Sequence, residues 1–208
     1  MARPAQDPQI RIKEILDTAE HLFTVKGYLG TTVSDIAKKM GVTQGMFYYY
    51  FKSKEEILEA LLNRQVTSFL SEVKVMASSN APPAEKLGFM ISTVIKNVQA
   101  HGEVLLNTVY HEQNLHIKNK LVHGVKLLLT PLGLTIIEEG RVRNDFNVPD
   151  PQTALSFILL IMDFLIDALY EKLPAELLSL RLQMAEALVA KAVGVREGTV
   201  RIILQTPR

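Results

Sequence analysis

The 208-residue sequence contains no cysteine, which excludes a disulfide framework, a thiol nucleophile and any zinc-finger or iron–sulfur site, and fits a reducing compartment. It also lacks a long apolar run. The most hydrophobic stretch, residues 157–162, soon meets Asp163 and Asp167, well short of the roughly 18 uninterrupted apolar residues of a membrane span. Residues 1–8 hold Arg3, Asp7 and two prolines and lead into no signal-peptide core, so the expected address is the cytoplasm, with no membrane contact. Internal repeats, low-complexity tracts and strict alternation of β-branched residues are absent too. Net charge is close to nil at +1 but unevenly spread, with eight Lys/Arg against five Asp/Glu in residues 1–54 and fifteen against seventeen in the rest. A cationic front has the sign that binding to a nucleic acid requires.

What the sequence does contain is helical periodicity in a composition of 48% hydrophobic and 22% charged residues, typical of a globular chain and unlike a disordered one or a coiled-coil rod. The predicted fold is all-α, with about nine helices. Ile12, Ile15, Leu16, Ala19, Leu22 and Phe23 form one stripe on a first helix that Gly27 ends. Thr32 and Asp35 have capping-box spacing for a second helix running to Met40; Gly41 stops it, and Thr43 caps a short third helix through Tyr50. Ser53 with Glu56 opens a long fourth helix, and the SSNAPP segment over 78–83 breaks the chain before a fifth over about 84–100. A short and a longer helix are expected between 103 and 139, with Pro131 kinking or restarting the latter and Gly140 closing it. Two apolar helices follow, over about 150–172 and 174–193.

The pair at 32–40 and 43–50, joined by a turn of about three residues at Gly41, has the spacing of a helix-turn-helix. Ala37 lets the helices cross closely, and Ile36, Met40, Val42 and Phe47 fill the space between them. On a helical wheel Thr43, Tyr50 and Phe51 fall near Phe47, whereas Gly45, Tyr48, Tyr49 and Lys52 lie opposite, with Gln44 at the edge. The second set would face a major groove. Gln44 suits adenine, the tyrosines suit thymine methyls or phosphates, and the lack of Arg or Lys before Lys52 predicts little reading of guanine.

Residues 12–62 resemble the N-terminal domain of the TetR (tetracycline-repressor-like) family of transcriptional regulators. The match rests on Ala19, Leu22, Phe23, Gly27, Tyr28, Thr31, Thr32, Val33, Asp35, Ile36, Ala37, Gly41, Val42, Thr43, Gly45, Tyr48, Phe51, Ser53, Lys54 and Leu58, within GYLGTTVSDIAKKMGV and FYYYFKSKEEIL. The resemblance implies DNA contacts at Thr32, Ser34, Thr43, Gln44, Gly45, Tyr48, Tyr49 and Lys54. It implies a DNA-binding domain over 8–54 with its motif at 32–51, a helical ligand-binding and dimerisation domain over 55–195, and leaves 196–208 as a tail without an assigned role.

The last two helices carry more apolar surface than one side can hide. With the resemblance, this points to a homodimer joined through Phe157, Ile161, Leu165, Leu178 and Leu182. Polar and aromatic residues cluster between 97 and 123, and His101, Asn107, Tyr110, His111 and Asn114 are the expected ligand contacts. His111, Glu112 and His116 miss the H-E-x-x-H zinc spacing by one residue, so neither a metal nor another cofactor is expected. Asp163 and Asp167, one turn apart, are expected to line the seam or a pocket. The function implied is a sequence-specific regulator on palindromic double-stranded DNA, a repressor released by a small-molecule effector, and not an enzyme. The alternative is a helical small-molecule-binding protein with a vestigial DNA-binding head.

Overall fold

The computed structural model describes residues 7–204, the side chains of 101–106 excepted. Among the described residues the chain is all-α. Helices α1 (Pro8–Lys26), α2 (Val33–Met40) and α3 (Gln44–Tyr50) form a head, and α4 (Lys54–Ala77), α5 (Pro83–Val109), α6 (Leu115–Val142), α7 (Pro151–Tyr170) and α8 (Ala175–Ala192) form a body. A single 3-10 turn, Glu112–Asn114, sits between α5 and α6. Thr32, Thr43, Ser53 and Asp150 cap helices where the sequence puts them, Asp7 caps α1 as well, and each accepts a backbone N–H of the first turn that follows.

Two expectations change in the middle of the chain. Helix α5 does not end near 100 but runs to Val109, because no proline or strong cap interrupts it and one glycine costs a helix only about 1 kcal/mol. Helix α6 passes through both Pro131 and Gly140. Gly140 does not close it; a Cβ there would sit 2.3 Å from the Phe146 ring, so its smallness serves packing.

Two hydrophobic cores result. The head core gathers Ile15, Ala19, Phe23, Ile36, Phe47, Ile57, Leu58 and Leu61, and it also takes in Leu62, Val109 and Ile117. The body core is built from α4 to α8 around Leu87, Met90, Ile91, Ile95, Leu129 and Ile158. Helix α4 is continuous through both, so the expected boundary at 54/55 marks where that helix starts, while its first two turns pack with the head. Lys86 on α5, only 3% exposed, is held by Glu139 on α6 at 2.7 Å.

The segment after α8 lies across α5. Val200 and Ile202 are buried, the Ile203 N–H donates to Ser92 Oγ at 2.9 Å, and the Ile202 N–H donates to Glu186 at 2.7 Å. Gly88 makes room for it, since a Cβ would lie 2.3 Å from the Arg201 carbonyl oxygen.

By mean hydropathy two segments, Glu112–Val142 and Pro151–Tyr170, are long and apolar enough to cross a membrane, although charges interrupt both. In the fold, α6 and α7 are walls of the helical body, packed on each other and on α5.

Tyr28 follows the C-terminal turn of α1 and packs edge-on against Phe23, ring centroids 5.1 Å apart. Its hydroxyl is buried without a hydrogen-bond partner, and burial, with the nearby Glu55 charge, pushes its pKa up to about 12. An unpaired buried hydroxyl costs about 1–3 kcal/mol. Tyr28→Phe is therefore expected to leave urea-unfolding stability unchanged or raised by up to about 1 kcal/mol; a clear loss of stability would show that the hydroxyl has a partner in solution.

Candidate nucleic-acid interface and ligand cavity

The head is a pair of short helices set by three local devices. Thr32 accepts the Asp35 N–H at 3.1 Å while Asp35 accepts the Thr32 N–H at 2.9 Å and its hydroxyl at 2.6 Å, a complete capping box. Gly41 ends α2 in the left-handed region at φ 68°, with its N–H returning to the Lys38 carbonyl at 3.1 Å and the Val42 N–H to Ala37 at 3.0 Å. Phe47, fully buried, anchors α3 against Ile36 and the first helix.

These devices leave one face of α3 outward. Gln44, Gly45, Tyr48 and Tyr49 are exposed, Tyr49 by 80%. Tyr50 is half-buried against the head core and stacks edge-on with Tyr49 at 5.0 Å. Gly45 has only Thr43 Oγ1 within 4 Å of a notional Cβ, so nothing inside the head demands a glycine there. Thr43, placed near Phe47 by the wheel, is instead exposed because its hydroxyl caps the Met46 N–H at 3.3 Å. That oxygen keeps its own proton for a donor role. Ser34 is exposed at the start of α2.

Two expected contacts are placed differently. Both donors of Thr32 are spent on Asp35, which leaves none for phosphate. Lys54 is turned inward: its Nζ donates to the Tyr28 and Thr31 carbonyls, each at 2.9 Å, and lies 4.3 Å from the Tyr28 ring centroid. It ties the start of α4 to the α1–α2 loop, and partial burial lowers its pKa.

A cavity of about 130 Å³ opens in the body between α4, α5, α6 and α7. Its walls are almost wholly apolar, with Val66, Phe69, Val94, Leu129 and Met162 prominent; Gln65, Asn97, Tyr110, Lys118, Lys126 and Asp163 add the polar groups. Of the expected ligand residues whose side chains are described, only Tyr110 lines it. Asn107 and His111 are exposed, His111 serving as the cap of the 3-10 turn. Asn114 is buried but donates to the Thr108 carbonyl at 2.9 Å. The His101 side chain lies outside the described residues. Sequence clustering misled here because the cavity's polar groups come from four helices. Among the described residues no three His, Asp or Glu side chains converge as a metal site.

The apolar surface of α7 and α8 divides. Phe157, Leu160 and Phe164 on α7 and Met184 and Leu188 on α8 are exposed, Phe157 by 56%. Ile161, Leu178 and Leu182 are half-buried. Leu165, expected at a seam, is 1% exposed and belongs to the body core, because it lies about 80° round α7 from Phe157, enough to turn it into the body.

Residues 15–61 match the family model described as bacterial regulatory proteins, tetR family. Over 155 residues the chain is 31% identical to the HTH-type transcriptional repressor KstR2 of Mycobacterium tuberculosis (strain CDC 1551 / Oshkosh), covering 71% of this chain and 77% of that protein. The fatty acid metabolism regulator protein of Bacillus subtilis (strain 168) is 27% identical over 140 residues, which are 65% of this chain and 72% of the relative. The crystal structure of the transcriptional regulator FadR from Bacillus subtilis in complex with stearoyl-CoA superposes with a TM-score of 0.65 at 26% identity, over 86% of this chain and 97% of that one.

Two outcomes are expected in the head. Lys54→Ala removes two charge-assisted hydrogen bonds and should lower urea-unfolding stability by about 1–3 kcal/mol; an unchanged midpoint would return this lysine to a purely DNA-facing role. The Asp35 pKa is held down at about 2, chiefly by the Thr32 hydroxyl and N–H and then by Lys26. A carboxyl with a folded pKa below its unfolded value adds stability above about pH 4 that is lost as pH falls through the folded pKa. The melting-temperature gap between wild type and Asp35→Asn should thus be largest near neutrality and close toward pH 2, and a gap independent of pH would contradict this assignment.

Proposed function

The chain belongs to the TetR family of helix-turn-helix transcriptional repressors, and from that premise we propose that it acts in the cytoplasm as a homodimer on a palindromic operator, released when a long-chain acyl effector enters the body cavity. It is a regulator and not an enzyme. The observation that carries the reading is the outward face of α3, where Gln44, Gly45, Tyr48 and Tyr49 stand exposed on a helix held rigidly from behind by Phe47. Gln44 pairs with adenine, the two tyrosine rings pack on thymine methyls or donate to phosphate, and Gly45 lets the backbone approach the groove. Thr43 and Ser34 supply hydroxyls at the helix starts, where backbone dipoles favour phosphate.

Dimerisation is supported by the exposed row of Phe157, Leu160 and Phe164 on α7 beside Met184 and Leu188 on α8, a contiguous apolar patch of the kind that marks an interface. Ile161, Leu178 and Leu182 at its edge complete the seam. The effector class rests on two features together. The cavity wall is almost wholly apolar, and two relatives are a fatty acid metabolism regulator and a regulator crystallised with stearoyl-CoA. Such a wall favours a hydrocarbon ligand, and at about 130 Å³ the cavity has to widen to take a long chain.

Selection of bound duplexes from a random pool, followed by titration of the winner at two salt concentrations, tests the DNA reading. A palindrome with half-sites about 34 Å apart is expected, with stearoyl-CoA releasing the complex; no enrichment over random DNA would overturn it. Gly45→Ala separates stability from function. It should raise unfolding stability by about 0.5 kcal/mol through helix propensity, while weakening binding to the selected duplex about tenfold or more because the new methyl occupies the groove side. Unchanged affinity would remove this face of α3 from the contact.

A further inference from the structure

Two residues of the cavity wall, Tyr110 and Lys118, belong to a compact cluster drawn from three helical segments. Tyr110, just after α5, stacks on Tyr170 at the end of α7, with ring centroids 4.1 Å apart. Lys118 of α6 covers the Tyr110 ring at 3.5 Å from its centroid. The Tyr110 hydroxyl donates to Asp167, and Lys118 pairs with the same carboxylate at 3.5 Å. Burial and this carboxylate together raise the tyrosine pKa, so the hydroxyl is held as a donor.

Position gives the cluster its significance. Tyr110 and Lys118 line the cavity, so whatever fills that space presses on them directly. Their chain neighbours Val109 and Ile117 are buried in the head core, and any displacement is passed to the head within one residue. Asp167 and Tyr170 lie on α7, which carries three of the five residues of the exposed apolar face described above. We propose that Asp167 and Tyr110 are the positioning residues through which cavity occupancy is read, holding the head in its DNA-competent pose when the cavity is empty and releasing it when an occupant parts the cluster. This inference rests on the reading of the protein as an effector-responsive DNA binder, and it assigns the regulation of that same cavity.

The energetics permit a switch. The stack, the cation over the ring and the hydroxyl–carboxylate hydrogen bond are individually weak at a partly exposed site, Asp167 being 47% exposed, yet all three are lost together if Tyr110 turns away. Several modest interactions broken by one rotation form a two-state element that a ligand can bias without unfolding the helices.

The test needs no knowledge of the natural ligand, because a bulky side chain can imitate an occupant. Operator binding by fluorescence anisotropy is compared for full-length wild type, Asp167→Ala, the cavity-filling Val98→Phe, and the double variant, using the selected duplex and no ligand. Melting curves confirm that each is folded. Tyr110→Phe and Val122→Phe repeat the cycle from the other side of the cluster and cavity. Each single change is expected to weaken binding about tenfold, with the double variant no weaker than either single one, since both act by opening the same cluster. Losses that multiply, or an Asp167→Ala variant that binds DNA as wild type does while Val98→Phe does not, would overturn the proposal. A wild-type protein unmoved by stearoyl-CoA would instead count against the acyl reading alone, because the cycle is run without ligand.

Discussion

A helix of seven residues has no independent existence in water: nucleation costs too much for so few hydrogen bonds to repay. The outward face of α3 therefore depends on Phe47, fully buried between α1 and α2, and on the caps at both ends of the connecting turn. Thr43 fixes where α3 begins, and Gly41 supplies the one left-handed residue that lets the chain reverse from α2. Behind this pair Lys54 holds the α1–α2 loop to the start of α4 by two carbonyl contacts. The side chains that face outward are thus held by others that face inward, and the two sets alternate along one and a half turns of helix.

The same economy links head and body. Leu62, Val109, Ile117 and Leu121 lie where α4, the end of α5 and the start of α6 meet the head, and three of them, Leu62, Val109 and Leu121, also line the cavity. A close-packed interior transmits displacement because it has few voids to absorb it. With shared walls, the cavity and the helices of the head cannot be packed independently.

Much of the head was legible in the sequence because its determinants are local. A capping box is a spacing of three, a left-handed turn is a glycine, and a buried stripe is a period of 3.6, so the end of α1 and the starts and caps of α2, α3 and α4 fall within a residue or so of expectation. The outward set on α3 follows from the same wheel. Lys54 was less legible, since its position beside the recognition helix is local but its partners, Tyr28 and Thr31, lie 26 and 23 residues away. The ligand residues were least legible. Histidines and asparagines grouped between 97 and 123 are neighbours along the chain, but the 3-10 turn reverses direction there, and exposed or capping positions absorb most of them.

Helix α7 shows why composition alone could not separate core from seam. Leucine, isoleucine and phenylalanine occupy all of its faces, so hydrophobicity by itself does not distinguish Leu165, wholly intramolecular, from Phe164 next to it, which is exposed. Its acidic residues are the clearer markers. Asp163 and Asp167 lie one turn apart and meet Lys126 and Lys118 of α6, eight residues apart and so on one side of that helix. These pairs form two polar rungs between α6 and α7 at the edge of an apolar space. Each is only partly buried, so neither adds much net stability. Their value lies in direction: they orient α7 so that one side closes the cavity and the other presents Phe157, Leu160 and Phe164 outward. They also leave that edge with balanced charge, one lysine to each carboxylate.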